Sequence, residues 1–411
     1  MKATLQHSKN LVEKATIKVT GSKSESNRLL VLQALYPQCS IANLSQSDDT
    51  VALGKGIHIE KGTVDIHHAG TAMRFLTAFF ASREGREIVL TGSQRMQERP
   101  IGVLVDALKQ LGADITYTKN EGFPPLLIKG KQLAQNEVSI QANVSSQYIS
   151  ALMLIAPSLP DGLNILLEGK VTSVPYIEMT LSLLHELGVE GHFSENTISI
   201  APMSAGKSTT ITVESDWSSA SYFYSIVALS HNLSVTLHSY KRNSLQGDAA
   251  LSKLYESFGV GTAFNEENAT MTLSKSDGEL PKSVNFNLVK TPDIAQTIAV
   301  TCFGLGMGCT LTGLHTLKIK ETDRLVALKN ELEKLGATIS ITDESLELYP
   351  RTSIQENVSI ATYHDHRMAM AFAPLALRVP ISILDSGVVS KSFPTFWEDL
   401  SKLGFVINFE E

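Results

Sequence analysis

The chain has 411 residues, 43% of them hydrophobic, and a formal charge of −7. This length predicts two or three domains with ample cores. The acidic balance excludes a general nucleic-acid or anionic-membrane binder, which would carry a basic stripe.

In chain order, six apolar segments with a polar or charged lead-in read as buried helices. They are NRLLVLQAL after Ser24, GTAMRFLTAFFA from Gly70, SSQYISALMLIA from Ser145, DWSSASYFYSIVAL from Asp216, DIAQTIAVTCFGL from Asp293 and DHRMAMAFAPLAL from Asp365. A second, amphipathic helix follows later in each unit, as at 101–111, 177–187, 249–258, 324–335 and 396–403. These five end at Gly112, Gly188, Gly259, Gly336 and Gly404, each the predicted left-handed stop just past a helix. Several stops lead into alternating strands: 115–117 with 126–128, 192–193 with 197–200, and 338–341 with 346–349. The spacing of the stops, about 70 residues, defines a repeat that reads strand–helix–strand–helix–strand–strand. Six copies fill the chain, the first shorter between its helices. The pattern predicts an α/β (α+β) protein of two domains with three units each. One domain spans 20–214 and the other 1–19 plus 215–411, with a strand in 1–19 joining the second.

If the buried helices of a domain run side by side, their N-termini emerge at one face, and two such faces would oppose each other across a cleft. Unpaired backbone N–H groups, hydroxyls and cations at those starts suit phosphate or carboxylate ligands. The segment Gly21-Ser-Lys-Ser-Glu-Ser-Asn-Arg28 places Lys23, Ser24 and Arg28 there. The other starts and their loops add Gly70, Arg74, Arg99, Ser145, Ser146, Gln147, Asp293, Lys320, Glu321, Arg324, His366, Arg367 and Lys391. Cations dominate this set in an otherwise acidic chain. Lys320 and Arg324 stand four apart, as do Arg95 and Arg99; on a helix such pairs repel, and a shared anion would relieve them. Gly70 reads either as a point of close ligand approach or as ordinary helix packing. Ser145-Ser146-Gln147 offers more polar groups than one N-cap uses. Asp293 reads as an N-cap or as a general base toward a substrate hydroxyl. Ala205-Gly206-Lys207-Ser208-Thr209 ends like a P-loop, but Ala201 stands where the first glycine belongs.

The N-terminus lacks the apolar run of a signal peptide, and no stretch is long and apolar enough to predict a transmembrane helix. Cys39, Cys302 and Cys309 lack metal-ligand spacing and fit a reduced cytoplasmic protein.

Taken together, the strings GSKSESNR (21–28), AGTAMR (69–74), RMQERP (95–100), SSQY (145–148), DWSSASYF (216–223), Pro292-Asp293, KETDR (320–324), DHRMAM (365–370) and KSFP (391–394) resemble the enolpyruvyl transferases, most closely those acting on shikimate 3-phosphate. The resemblance implies two domains of three βαβαββ units with buried parallel helices, like an inside-out α/β barrel. It implies transfer of the enolpyruvyl group of phosphoenolpyruvate to the 5-hydroxyl of shikimate 3-phosphate, with release of phosphate, in the pathway to aromatic amino acids. By motif, Lys23, Ser24, Arg28, Ser145, Ser146, Gln147, Ser173, Tyr176, Asp293 and Lys320 would hold shikimate 3-phosphate. Lys23, Gly70, Arg99, Gln147, Arg324, Arg367 and Lys391 would hold phosphoenolpyruvate. Asp293, Glu321 and Lys23 would handle protons. A monomer needing neither metal nor organic cofactor is implied, as is sensitivity to the inhibitor glyphosate, with Gly70 of the sensitive type. His68, Phe75 and Thr316 depart from the family's common Asn, Pro and Asn. The alternatives are the sister transferase acting on UDP-N-acetylglucosamine and a non-catalytic anion-binding protein on the same scaffold.

Overall fold

The computed structural model describes residues 1–410 except 143–144, 170, 172–173, 204–207 and 321. The chain divides into two compact units, Gly21–Val213 and Met1–Thr20 with Glu214–Glu411.

Within Gly21–Val213 the repeat is plainest in its middle copy. Strand Lys61–Asp65, helix Gly70–Ala81, strand Glu87–Thr91, helix Gly102–Gln110 and strands Asp114–Tyr117 and Leu126–Lys129 follow in order. The first two strands pair parallel, with Val64 opposite Leu90, because a helix carries the chain back over the sheet. The last two form a hairpin whose second strand docks antiparallel on Glu87–Thr91. The next copy repeats this order with strands Glu137–Gln141, Leu163–Glu168, Gly191–Ser194 and Thr197–Ile200. The first copy is reduced to Lys23–Leu35, Asp48–Gly56 and a two-stranded parallel sheet in which Cys39–Ala42 pairs with the distant Thr209–Thr212.

The other unit holds three full copies. Its sheets borrow both N-terminal strands, so residues 1–19 supply two strands where the sequence pattern predicted one. Lys14–Ile17 pairs parallel with Ser234–His238 and opens the fourth copy. Lys2–Leu5 lies between Ile381–Ile383 and Ile407–Glu410 and completes the sixth. The fifth copy is continuous, from Ser283–Asn287 to Ser345–Leu348. No sheet closes on itself among the described residues; the barrel likeness is one of helices inside and short open sheets outside.

The buried helices are Lys23–Leu35 (α1), Gly70–Ala81 (α2), Ser146–Ile155 (α3), Trp217–Leu229 (α4), Ala295–Leu305 (α5) and His366–Phe372 (α6). In one unit α1, α2 and α3 touch one another, and in the other α4, α5 and α6 do. Every residue of α2 is buried, which is why its sequence is apolar all round. Phe75, Leu76, Phe79 and Phe80 each contribute about 1.5–3 kcal/mol of burial. Helix–helix hydroxyl pairs join the buried helices of the second unit: Ser221 with Thr297 at 3.1 Å and Thr301 with Ser225 at 2.8 Å. Proline explains two early stops, since α3 and α6 tighten into 3-10 turns at Pro157 and Pro374. The predicted helix 249–258 is broken into a 3-10 turn, the short helix Leu251–Leu254 and a second 3-10 turn. All five predicted glycine stops have positive φ, from 69° at Gly259 to 101° at Gly404.

Candidate active site

In the unit Gly21–Val213, α1 begins at Lys23, whose Nζ lies 3.5 Å from Asp49 Oδ1. One turn on, Arg28 is buried: its Nε donates to Thr180 Oγ1 (2.8 Å), one Nη to the Ser24 carbonyl (2.7 Å) and the other to Ser150 Oγ (2.7 Å). The rings of Phe75 and Tyr176 flank the guanidinium at 5.5 and 5.7 Å. Burial lowers its pKa to about 10, partly offset by Tyr176 and Glu25, so it stays cationic at neutral pH.

Gly70 opens α2, and a close approach does occur there. A Cβ at this position would lie 2.7 Å from Arg99 Nη1, so the guanidinium of exposed Arg99 rests on the glycine. Behind it Arg74 is buried, donating to the Gly70 and Pro100 carbonyls (3.0 and 3.2 Å). Burial and the neighbouring Arg99 charge lower its pKa. Ser145 caps α3 by accepting from the Gln147 amide (3.4 Å), while Gln147 Nε2 donates to Thr71 Oγ1 (3.3 Å) and ties the start of α3 to that of α2. Ser146 is the first residue of α3. Ser173 lies outside the described residues.

In the other unit the cations converge on one carboxylate. Asp293 does not cap a helix; it sits in the 3-10 turn Pro292–Ile294 that leads into α5. Its Oδ1 accepts from Arg324 Nη1 (2.8 Å) and lies 3.4 Å from Lys320 Nζ. Its Oδ2 is 3.4 Å from Arg367 Nη2, and Arg367 Nη1 also donates to its backbone carbonyl (3.1 Å). Burial pushes the carboxyl up, but Arg367, Lys320 and Arg324 together hold it well below the usual range. Arg324, 2% exposed, also gives Nε to the fully buried Asp365 (2.6 Å), whose other oxygen accepts from the Arg367 amide (2.9 Å) and caps α6. Lys320 and Arg324 do not share a helix, because a 3-10 turn ends at Ile319 and a new helix starts at Arg324. The anion they share is Asp293. Lys391 donates to the His364 carbonyl (2.8 Å) just before α6. Glu321 lies outside the described residues.

Sequence reasoning brought Asp293, Lys320, Arg324 and Arg367 to one place but missed the groups that anchor Lys23, Arg28 and Arg324. Asp49, Ser150, Thr180 and Asp365 are partners rather than ends of motifs. Only Asp365 carried a visible signal, an acid directly ahead of the helix beginning His-Arg-Met.

A family model for EPSP synthase (3-phosphoshikimate 1-carboxyvinyltransferase) matches residues 52–400. The 3-phosphoshikimate 1-carboxyvinyltransferase of Bacteroides fragilis is 44% identical over 403 residues, 97% of each chain. That of Haemophilus influenzae is 35% identical over 94% of this chain and 96% of its own. An EPSP synthase structure from Acinetobacter baumannii superposes over the whole of both chains with a TM-score of 0.83 at 20% identity, which shows the same fold. The chain therefore belongs to the EPSP synthase (3-phosphoshikimate 1-carboxyvinyltransferase) family.

Proposed function

We propose that this chain transfers the enolpyruvyl group of phosphoenolpyruvate to the 5-hydroxyl of shikimate 3-phosphate, releasing inorganic phosphate. The observation that carries the reading is the convergence of Lys320, Arg324 and Arg367 on Asp293, in a chain of which 97% aligns with a 3-phosphoshikimate 1-carboxyvinyltransferase. In this role Lys23, Ser24, Arg28, Ser145, Ser146, Gln147, Ser173, Tyr176, Asp293 and Lys320 hold shikimate 3-phosphate. Lys23, Gly70, Arg99, Gln147, Arg324, Arg367 and Lys391 hold phosphoenolpyruvate. Asp293 takes the proton of the attacking hydroxyl, and Glu321 with Lys23 supplies one to the enolpyruvyl methylene carbon. The new C–O bond gives a tetrahedral intermediate bearing a methyl group; removal of a proton from that methyl as the C–O bond to phosphate breaks restores the methylene double bond and completes the exchange. A carboxylate shared among three cations is a weak base; substrate anions that draw Arg324, Arg367 and Lys320 toward themselves raise its basicity. The protein acts as a cytoplasmic monomer and is inhibited by glyphosate.

Phosphate release with phosphoenolpyruvate and each acceptor tests the reading. Release is expected with shikimate 3-phosphate; release with UDP-N-acetylglucosamine instead would assign the sister reaction.

A further inference from the structure

A second carboxylate beside Asp293 belongs to no motif. Asp248, in the 3-10 turn Gly247–Ala250, is part-buried and takes a short hydrogen bond from a hydroxyl at each oxygen. Oδ2 accepts from Ser218 Oγ on the first turn of α4, and Oδ1 accepts from Thr291 Oγ1, two residues before Asp293. Ser218 Oγ in turn accepts from Arg367 Nη2 at 3.2 Å. Since Arg367 bonds the Asp293 carbonyl and faces its carboxylate, these contacts, with the backbone from Thr291 through Pro292 to Asp293, close a ring: Asp248, Ser218, Arg367, Asp293, Thr291 and back to Asp248.

The turn that carries Asp248 is built to reach this ring. A Cβ at Gly247 would lie 2.6 Å from the Lys290 carbonyl, so only glycine lets the two backbones meet beside Thr291. The preceding Gln246 donates to the Ser215 carbonyl and accepts from the Trp217 amide, both at 3.0 Å. The turn is thus fixed to the start of α4 independently of Asp248.

We infer that Asp248 is a positioning residue for the transfer reaction, aiming Arg367 through Ser218 and Asp293 through Thr291. The inference rests on the reading of Arg367 as a phosphoenolpyruvate contact and Asp293 as the base. Ser218 spends its single proton on Asp248, which leaves its lone pairs to receive Arg367. Without the carboxylate the hydroxyl is free to rotate, and the Arg367 Nη2 that faces Asp293 loses its fixed hydroxyl partner. The two branches have different kinetic signatures because the two ends do different work.

Wild-type turnover is established first; its absence would count against the proposed function, not against the ring. Steady-state kinetics then compare Ser218→Ala, Thr291→Val, Asp248→Ala and the double variant Asp248→Ala/Ser218→Ala, each checked for a wild-type unfolding temperature. Losing one such bond should raise the KM for phosphoenolpyruvate about tenfold in Ser218→Ala, with the KM for shikimate 3-phosphate within about twofold of wild type. Thr291→Val should lower kcat by a similar factor while sparing the KM for phosphoenolpyruvate. The double variant should match Asp248→Ala in that KM, because both changes cut the same branch. Asp248→Asn, which retains an acceptor, should recover part of the loss. A KM for phosphoenolpyruvate unchanged in Ser218→Ala, or effects that multiply in the double variant, would overturn the inference. Ser218→Ala decides the matter even if Asp248→Ala does not fold.

Discussion

Gly70→Ala separates the cost of a methyl group to the fold from its cost to binding. The added Cβ would stand 2.7 Å from Arg99 Nη1, 3.2 Å from Nη2 and 3.3 Å from Cζ. The far end of an exposed side chain can retreat, so the guanidinium moves and the helix does not. Alanine is no worse than glycine on a helix, so stability should stay within about 0.5 kcal/mol of wild type. Ordinary contact requires a displacement of roughly 1 Å, enough for a charged hydrogen bond from Arg99 to a carboxylate or phosphate to be largely lost. Such a bond contributes about 1.5–3 kcal/mol, so the KM for phosphoenolpyruvate should rise between about 10- and 150-fold. Thermal unfolding together with kinetics in which each substrate is varied in turn provides the assay. A KM for phosphoenolpyruvate within twofold of wild type would refute the seating of Arg99 on Gly70 as a binding device. A large drop in unfolding temperature would refute the premise that Arg99 yields freely.

Asp365→Ala removes the buried partner of Arg324 and the cap of α6; breaking the buried pair should cost about 3–5 kcal/mol, read as a lowered urea midpoint. Asp293 ionises lower in the folded chain than its unfolded value of about 3.9, so its contribution is fully present above that value and is lost as pH falls through the folded one. Wild type should therefore exceed Asp293→Asn in urea midpoint at pH 6, and the gap should close progressively below about pH 4; a gap independent of pH would contradict this. Gly404→Ala forces a side chain onto φ 101° with its Cβ 2.9 Å from the Asn10 carbonyl, and should cost about 1–3 kcal/mol in chemical unfolding.

The repeat was legible because its signals are local. A helix buried on all sides must be apolar on all sides, and a left-handed stop needs glycine, so α2 and the five stops could be read residue by residue. Strand partners could not. Lys-Ala-Thr-Ile at 14–17 and Thr-Thr-Ile-Thr at 209–212 are short segments with nothing in their composition to name a partner, yet they pair with Ser234–His238 and Cys39–Ala42 respectively. At the site, residue types announced which groups carry charge, but not how they balance. Asp293 read equally well as a cap, and nothing local announced that Arg324 and Arg367 reach it from other elements. Asp248 gave no signal, since its importance lies in two hydroxyls 30 and 43 residues away in the chain.

The strand Lys2–Leu5 has a consequence for how the polypeptide is made and handled. It occupies an interior place in a sheet whose other strands come far later in the chain, so during synthesis it must wait for them. Until then Lys2–Leu5 has no neighbour on either side and its bare edges are a template for pairing with other copies. Trimming the first handful of amino acids, harmless in many enzymes, should here split a sheet in two and send the product into aggregates.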